Sequence, residues 1–101
     1  MKIALISEEE SPVVDGLRKY LNDKETVVTL DGTSQKEIDD ALYFNRVNII
    51  LHLPADFTEQ VEVGKMPTIK IQSRPDAFSK TVVTQQVKTF LQTLILFQEE
   101  D

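Results

Sequence analysis

The sequence predicts a small α/β domain of two or three layers built on a four-stranded, mostly parallel sheet. Three observations predict it. Short apolar or β-branched runs alternate with helical patterns, in the order strand-helix-strand-helix-strand-short helix-strand-helix. The run Ile49-Ile50-Leu51 is continuously apolar, as in a central strand covered on both faces. The chain has 101 residues, 41% apolar and 28% charged, which is the make-up of one ordinary globular domain.

Each element has a local reason. Ile3 to Ile6 is a short apolar run and reads as a buried strand. Ser11-Pro12 then opens a helix, with Ser as cap and Pro tolerated at the first helical position. Val13, Val14, Leu17, Tyr20 and Leu21 share one face of it, and Gly16 sits among them, where it permits close packing or is merely tolerated. Thr26 to Leu30 is β-branched and reads as the second strand, ended by the turn pair Asp31-Gly32. Ser34-Gln35-Lys36-Glu37 is a capping-box sequence for a second helix with Ile38, Ala41 and Leu42 as its apolar positions and Phe44 as a further candidate. Val47 to Leu53 is the third strand and Pro54 stops it. A short helix follows from Pro54 to about Val63, with Gly64 placed for a left-handed end. Met66 to Gln72 alternates, as a half-buried strand does. The longest helix runs from about Asp76 to Gln98, with an apolar stripe that begins at Phe78 and passes through Val83, Val87 and Leu91. The first three strands are expected to be parallel through right-handed crossovers; the direction of the fourth is open.

Composition excludes several classes of function. The net charge is −6, and the basic residues are scattered, which argues against nucleic-acid binding and against docking on anionic lipid. There is no cysteine, so disulfides, thiolate zinc sites and cysteine nucleophiles are absent. No run approaches the roughly 18 apolar residues of a membrane span. Gly16, Gly32 and Gly64 are too far apart to form a phosphate-binding cradle. A phospho-receiver domain would need Asp at the end of the third strand, where this chain has His52-Leu53-Pro54.

The candidate contact residues are Glu8, Glu9, Glu10, Asp31, His52, Asp56 and Phe97. The three glutamates follow the first strand, at the edge where α/β sheets bind ligands, and carboxylates can hold a divalent cation. Their ordinary reading is a solvated loop facing the positive end of the first helix. His52, the single histidine, lies in an apolar strand, where packing is the default and acid–base work would require a positioned partner. Ile95, Leu96 and Phe97 carry the apolar stripe of the last helix almost around its end, as a partner surface would. No catalytic, metal or cofactor site is expected.

The segment Val47 to Glu59 resembles a motif of the type 2 ABC exporter permeases. In their extracytoplasmic domain a strand of this kind runs into Pro, and Asp-Phe then opens a short helix, as Pro54, Asp56 and Phe57 do here. A Gly, a short spacer and another strand come next, matched by Gly64 and Lys65 to Ile71. The opening strand with Ser7-Glu8-Glu9, and the helix from Asp76 to Leu94, fit the same series. Asn48 stands where the family commonly has Asp, His52 where it has an aliphatic residue, and Ser73-Arg74-Pro75-Asp76 replaces an Asn- and Ser-rich stretch.

The resemblance implies a non-catalytic domain on the extracytoplasmic face of a bacterial membrane, excised from a longer permease. Membrane helices would be encoded before Lys2 and beyond Asp101. The expected partners are those membrane segments, a cytoplasmic ATP-binding subunit and, as a further candidate, a second copy of the chain; nucleic acid is not among them. The alternative is a free-standing α/β small-ligand-binding or regulatory module, with a polar hollow at the carboxyl ends of the strands.

Overall fold

A computed structural model describes residues 1–30, 32–75 and 77–99, the side chains of residues 77, 98 and 99 excepted. The strands are β1 (Lys2–Ile6), β2 (Thr26–Val28), β3 (Ile49–His52) and β4 (Lys70–Ser73). The helices are α1 (Pro12–Lys24), α2 (Gln35–Tyr43), α3 (Phe57–Glu62) and α4 (Ala77–Glu99). The strands form one four-stranded sheet in the order β2-β1-β3-β4. β1 pairs in parallel with β2 and β3, and β4 runs antiparallel to β3.

α1 and α2 start where the sequence says they should. The Ser11 hydroxyl accepts the Val14 N–H at 3.1 Å, and Pro12 occupies the first turn of α1. Ser34 caps α2 by accepting the Glu37 N–H at 3.2 Å; its hydroxyl also donates to the Glu37 carboxylate at 2.8 Å. Two helices end in Schellman motifs. After α3, Gly64 takes φ 81° while Gly64 N–H bonds Val61 C=O at 3.0 Å and Lys65 N–H bonds Gln60 C=O at 2.8 Å. After α2, Asn45 takes φ 59°, with Asn45 N–H on Leu42 C=O at 3.3 Å and Arg46 N–H on Ala41 C=O at 2.9 Å.

Strand order decides the layers. The chain crosses from β1 to β2 through α1, then returns through α2 to β3 on the other side of β1, so α1 and α2 cover opposite faces. On one face Ile3, Ile49 and Leu51 meet Val14, Leu17 and Leu21 of α1, Phe57 and Val61 of α3, and Val83, Val87 and Leu91 of α4. On the other, Ala4 and Ile50 meet Ile38 and Ala41 of α2, with Val47. The domain therefore has three layers. Ile49, Ile50 and Leu51 are wholly buried, as a central strand requires.

Several sequence expectations are corrected. β3 is shorter than Val47 to Leu53, because the Val47 N–H joins the cap of α2 at the Ala41 carbonyl, 3.2 Å away, and not the sheet ladder. β4 begins at Lys70 rather than Met66, since its register ends opposite His52, the last residue of β3. β2 stops at Val28, and α3 occupies only Phe57–Glu62 of the expected span. Phe44 and Phe78 do not join the core. Phe44 caps the end of α2, and at the start of α4 it is Ser79 that turns inward.

Gly16 faces α4 where the two helices pack, and a Cβ built there would lie 3.4 Å from Phe90 Cζ. That is ordinary van der Waals contact, and the backbone is helical. Gly16→Ala is thus expected to raise stability by up to about 1 kcal/mol through helix propensity. Gly64→Ala, forced into the left-handed region, is expected to lower it by about 1–2 kcal/mol. Urea unfolding of the two variants checks both signs.

Candidate functional site

The reversal of chain direction around β1 opens a crevice at the carboxyl ends of the parallel strands, where open α/β sheets place their ligands. An open hollow of about 720 Å³ lies there. Its polar lining includes Ser7, Glu8 and Glu10 after β1, Arg18 of α1, Thr33 before α2, and His52 at the end of β3. The apolar floor is formed by Ile6, Val28 and Ile38.

The three glutamates separate into different roles. Glu9 is a structural clasp. Its Oε1 accepts the Thr58 N–H at 2.7 Å and the Thr58 hydroxyl at 2.6 Å, and Thr58 Oγ1 shares a further hydrogen bond of 2.7 Å with Ser11 Oγ. A carboxylate from the β1–α1 loop therefore caps the N-terminus of α3, satisfying an otherwise orphaned donor and facing the positive end of the helix dipole. Asp56, the residue at the N-cap of α3, makes no side-chain cap bond; its Oδ1 accepts from Gln60 Nε2 at 2.8 Å. Ser7 holds the loop by donating to Glu9 C=O at 2.8 Å. Glu8 and Glu10 are exposed and reach the hollow; Glu10 lies 3.7 Å from Arg18, which bonds Asp15 at 2.9 Å. Exposed pairs of this kind contribute little to stability.

His52 belongs to the face covered by α2, but α2 does not extend over β4, so the imidazole is only half-buried. Its Nε2 lies 2.5 Å from Gln72 Oε1, the diagonal cross-strand neighbour on β4. Gln72 is a neutral amide, so this pair differs from the carboxylate–imidazole arrangement that orients a catalytic base. Lys70 stands directly opposite His52 in the register. Asn48 has a positioning role at the other end of the sheet. It accepts the Lys2 N–H on Oδ1 at 2.7 Å and donates its own N–H to Lys2 C=O at 2.8 Å, which fixes the start of β1.

Among the described residues, no group of three His, Asp or Glu side chains is placed to hold a metal ion. Asp31 lies outside the described residues. Phe97 is far along α4 from the crevice; with Leu94 and Phe90 of the same helix it lines a separate small hollow against Tyr20 of α1. The crevice thus unites Glu8, Glu10 and His52, and not Glu9, Asp56 or Phe97. Sequence reasoning missed Gln72, Thr33, Arg18 and the Glu9–Thr58 clasp. Gln72 had a signal, the alternation of β4, but its diagonal pairing with His52 required the strand direction.

No family model and no curated protein matches the sequence. A solved structure does match the fold: a crystallised domain attributed to an ABC type-2 transporter of Thermotoga maritima MSB8. The TM-score is 0.71 at 20% identity, over 100% of this chain and 73% of that one. The chain has the fold of that ABC type-2 transporter domain. At this level of identity, what the two share is the path of the backbone. No helix among the described residues is long and apolar enough to cross a membrane.

Glu9→Ala should lower stability by about 1–2 kcal/mol, since it removes the cap of α3 and leaves Thr58 without its acceptor. Glu8→Ala and Glu10→Ala should stay within about 0.5 kcal/mol of the parent. Thermal unfolding of the three variants measures the difference.

Proposed function

We propose that the chain is a non-catalytic extracytoplasmic domain of a bacterial ABC-type export permease, where it helps gate the export route or contacts substrate or partner subunits. The observation that carries this reading is the likeness of fold over the entire chain to a domain attributed to an ABC type-2 transporter. The ordered series from Asn48 through Pro54, Asp56 and Phe57 to Gly64 supports it from the sequence side. In this reading the membrane segments of the same permease and a cytoplasmic ATP-binding subunit are the partners, and ATP hydrolysis belongs to the latter.

The cysteine-free chain makes a direct test available. Thr84 is exposed on α4, so Thr84→Cys introduces a single accessible thiol into this domain. In the full-length protein of intact cells, it should react with a membrane-impermeant maleimide. Reaction only after the cells are lysed would overturn the placement.

A second reading, a free-standing α/β module that binds a small ligand, is favoured by the polar hollow at the carboxyl ends of β1 and β2. A thermal-shift screen of small polar metabolites separates the two. A ligand present at a hundred times its dissociation constant should stabilise such a module by about 2.7 kcal/mol. Replacing Thr33 and His52 by Ala should abolish that shift.

A further inference from the structure

We propose that Asn22 guards an open edge of the sheet: its side chain occupies the outward N–H of β2 and so keeps that strand from pairing with β2 of a second copy of the chain. The inference stands apart from the export reading. In the order β2-β1-β3-β4, β2 and β4 are the two edge strands. An edge strand offers unpaired backbone groups to any other strand, and proteins blunt such edges with lysine, proline or a covering group.

β4 carries the usual devices. Lys70 is exposed at its start, and Pro67 and Pro75 flank it. β2 and its continuation have neither. Thr26-Val27-Val28-Thr29-Leu30 holds no charge and no proline, and Thr26 to Thr29 are all β-branched. A segment of that composition on an open edge is a template for self-pairing.

Pairing with β1 fixes which way the β2 backbone faces. The Thr26 N–H donates to Met1 C=O at 2.9 Å, and the register sets Lys2 against Thr26 and Ala4 against Val28. In a parallel ladder alternate residues direct their N–H and C=O to opposite sides. Thr26 therefore faces β1, and Val27 faces away from the sheet. The Val27 N–H does not stand open there, because it donates to Asn22 Oδ1 at 3.1 Å. Asn22 lies near the end of α1, which leads directly into β2. Two neighbours of Asn22 are engaged elsewhere: Lys24 Nζ lies 4.9 Å from the Tyr20 ring centre, and Glu25 is 3.7 Å from the amino terminus. Asp23 is exposed.

A second copy is the occupant this guard excludes. Antiparallel pairing of β2 with its own copy, about a twofold axis at Val27, needs the Val27 N–H and C=O of both chains. It sets uncharged residues opposite one another, so no like-charge repulsion within the strand opposes it. The two Asn22 bonds, one in each copy, do oppose it, since both must break before the strands can pair.

Sedimentation velocity and amide hydrogen exchange test the guard. Asn22→Ala removes the acceptor and keeps a good helix former in α1. In dilute solution its Val27 amide should exchange about tenfold faster than that of the parent. At rising concentration the variant should self-associate about tenfold more tightly than the parent, and its Val27 amide should become protected again. Asn22→Asp retains an acceptor oxygen and should match the parent in both measurements. Unchanged exchange at Ile50 and Leu51 of the buried β3 reports that the variants remain folded; Asn22→Ser serves if Asn22→Ala disturbs them. Four results would each overturn the proposal: Val27 exchange that Asn22→Ala leaves unchanged, failure of that variant to associate, association that protects β4 or the end of α4 instead of Val27, or Asn22→Asp that behaves as Asn22→Ala does. A parent whose own Val27 amide gains protection with concentration would overturn it as well.

Discussion

Burial of β3 on both faces is the constraint on which the rest of this architecture depends. Ile49 and Leu51 point into one core, and Ile50 points into the other. The backbone of the same residues is paired to β1 on one side and to β4 on the other. A fully buried aliphatic side chain contributes about 1.5–3 kcal/mol, and a domain is stable by only about 5–15 kcal/mol. Three residues of strand thus hold much of the margin, and they do so only while helices cover both sides. This requirement sends α1 and α2 to opposite faces and opens the crevice at the carboxyl ends of the strands.

The two faces are not covered equally. α1, α3 and α4 cover one face and α2, nine residues long, covers the other. At the carboxyl end of β3, beyond the cover of α2, the sheet becomes polar: His52 is joined to Gln72, and Lys70 stands opposite. The Glu9 clasp works at the same end of the strands, tying α3 to the loop after β1. A loop that would otherwise be free is therefore held at its middle residue, while Glu8 and Glu10 on either side remain exposed.

The candidate site was legible in the sequence only in part. The sequence places Glu8 and Glu10 just after β1, because the end of that strand follows from its apolar run; it reads His52 as a packing residue of β3, and the structure brings all three to one crevice. Glu9 was grouped with its neighbours, yet its partner Thr58 lies 49 residues away, and no local pattern encodes that separation. Phe44 and Phe78 were assigned to apolar faces by spacing, but a helical wheel does not know where the neighbouring layer stops. Both fall at helix ends, beyond the reach of the sheet. Asn45 in the left-handed region was equally hidden, since Asn is tolerated there without announcing it as Gly does.

By itself the sequence determined the number and order of the elements, the caps at Ser11 and Ser34, the left-handed exit at Gly64 and the central position of β3. These depend on interactions within a few residues or on the burial demanded by an unbroken apolar run. Only the tertiary structure decided that β4 is antiparallel, that the domain has three layers, and that Gln72 partners His52. A strand's direction depends on which neighbour completes its hydrogen bonds, and a polar side chain's role depends on what stands across from it. Both are contacts between segments far apart in the chain.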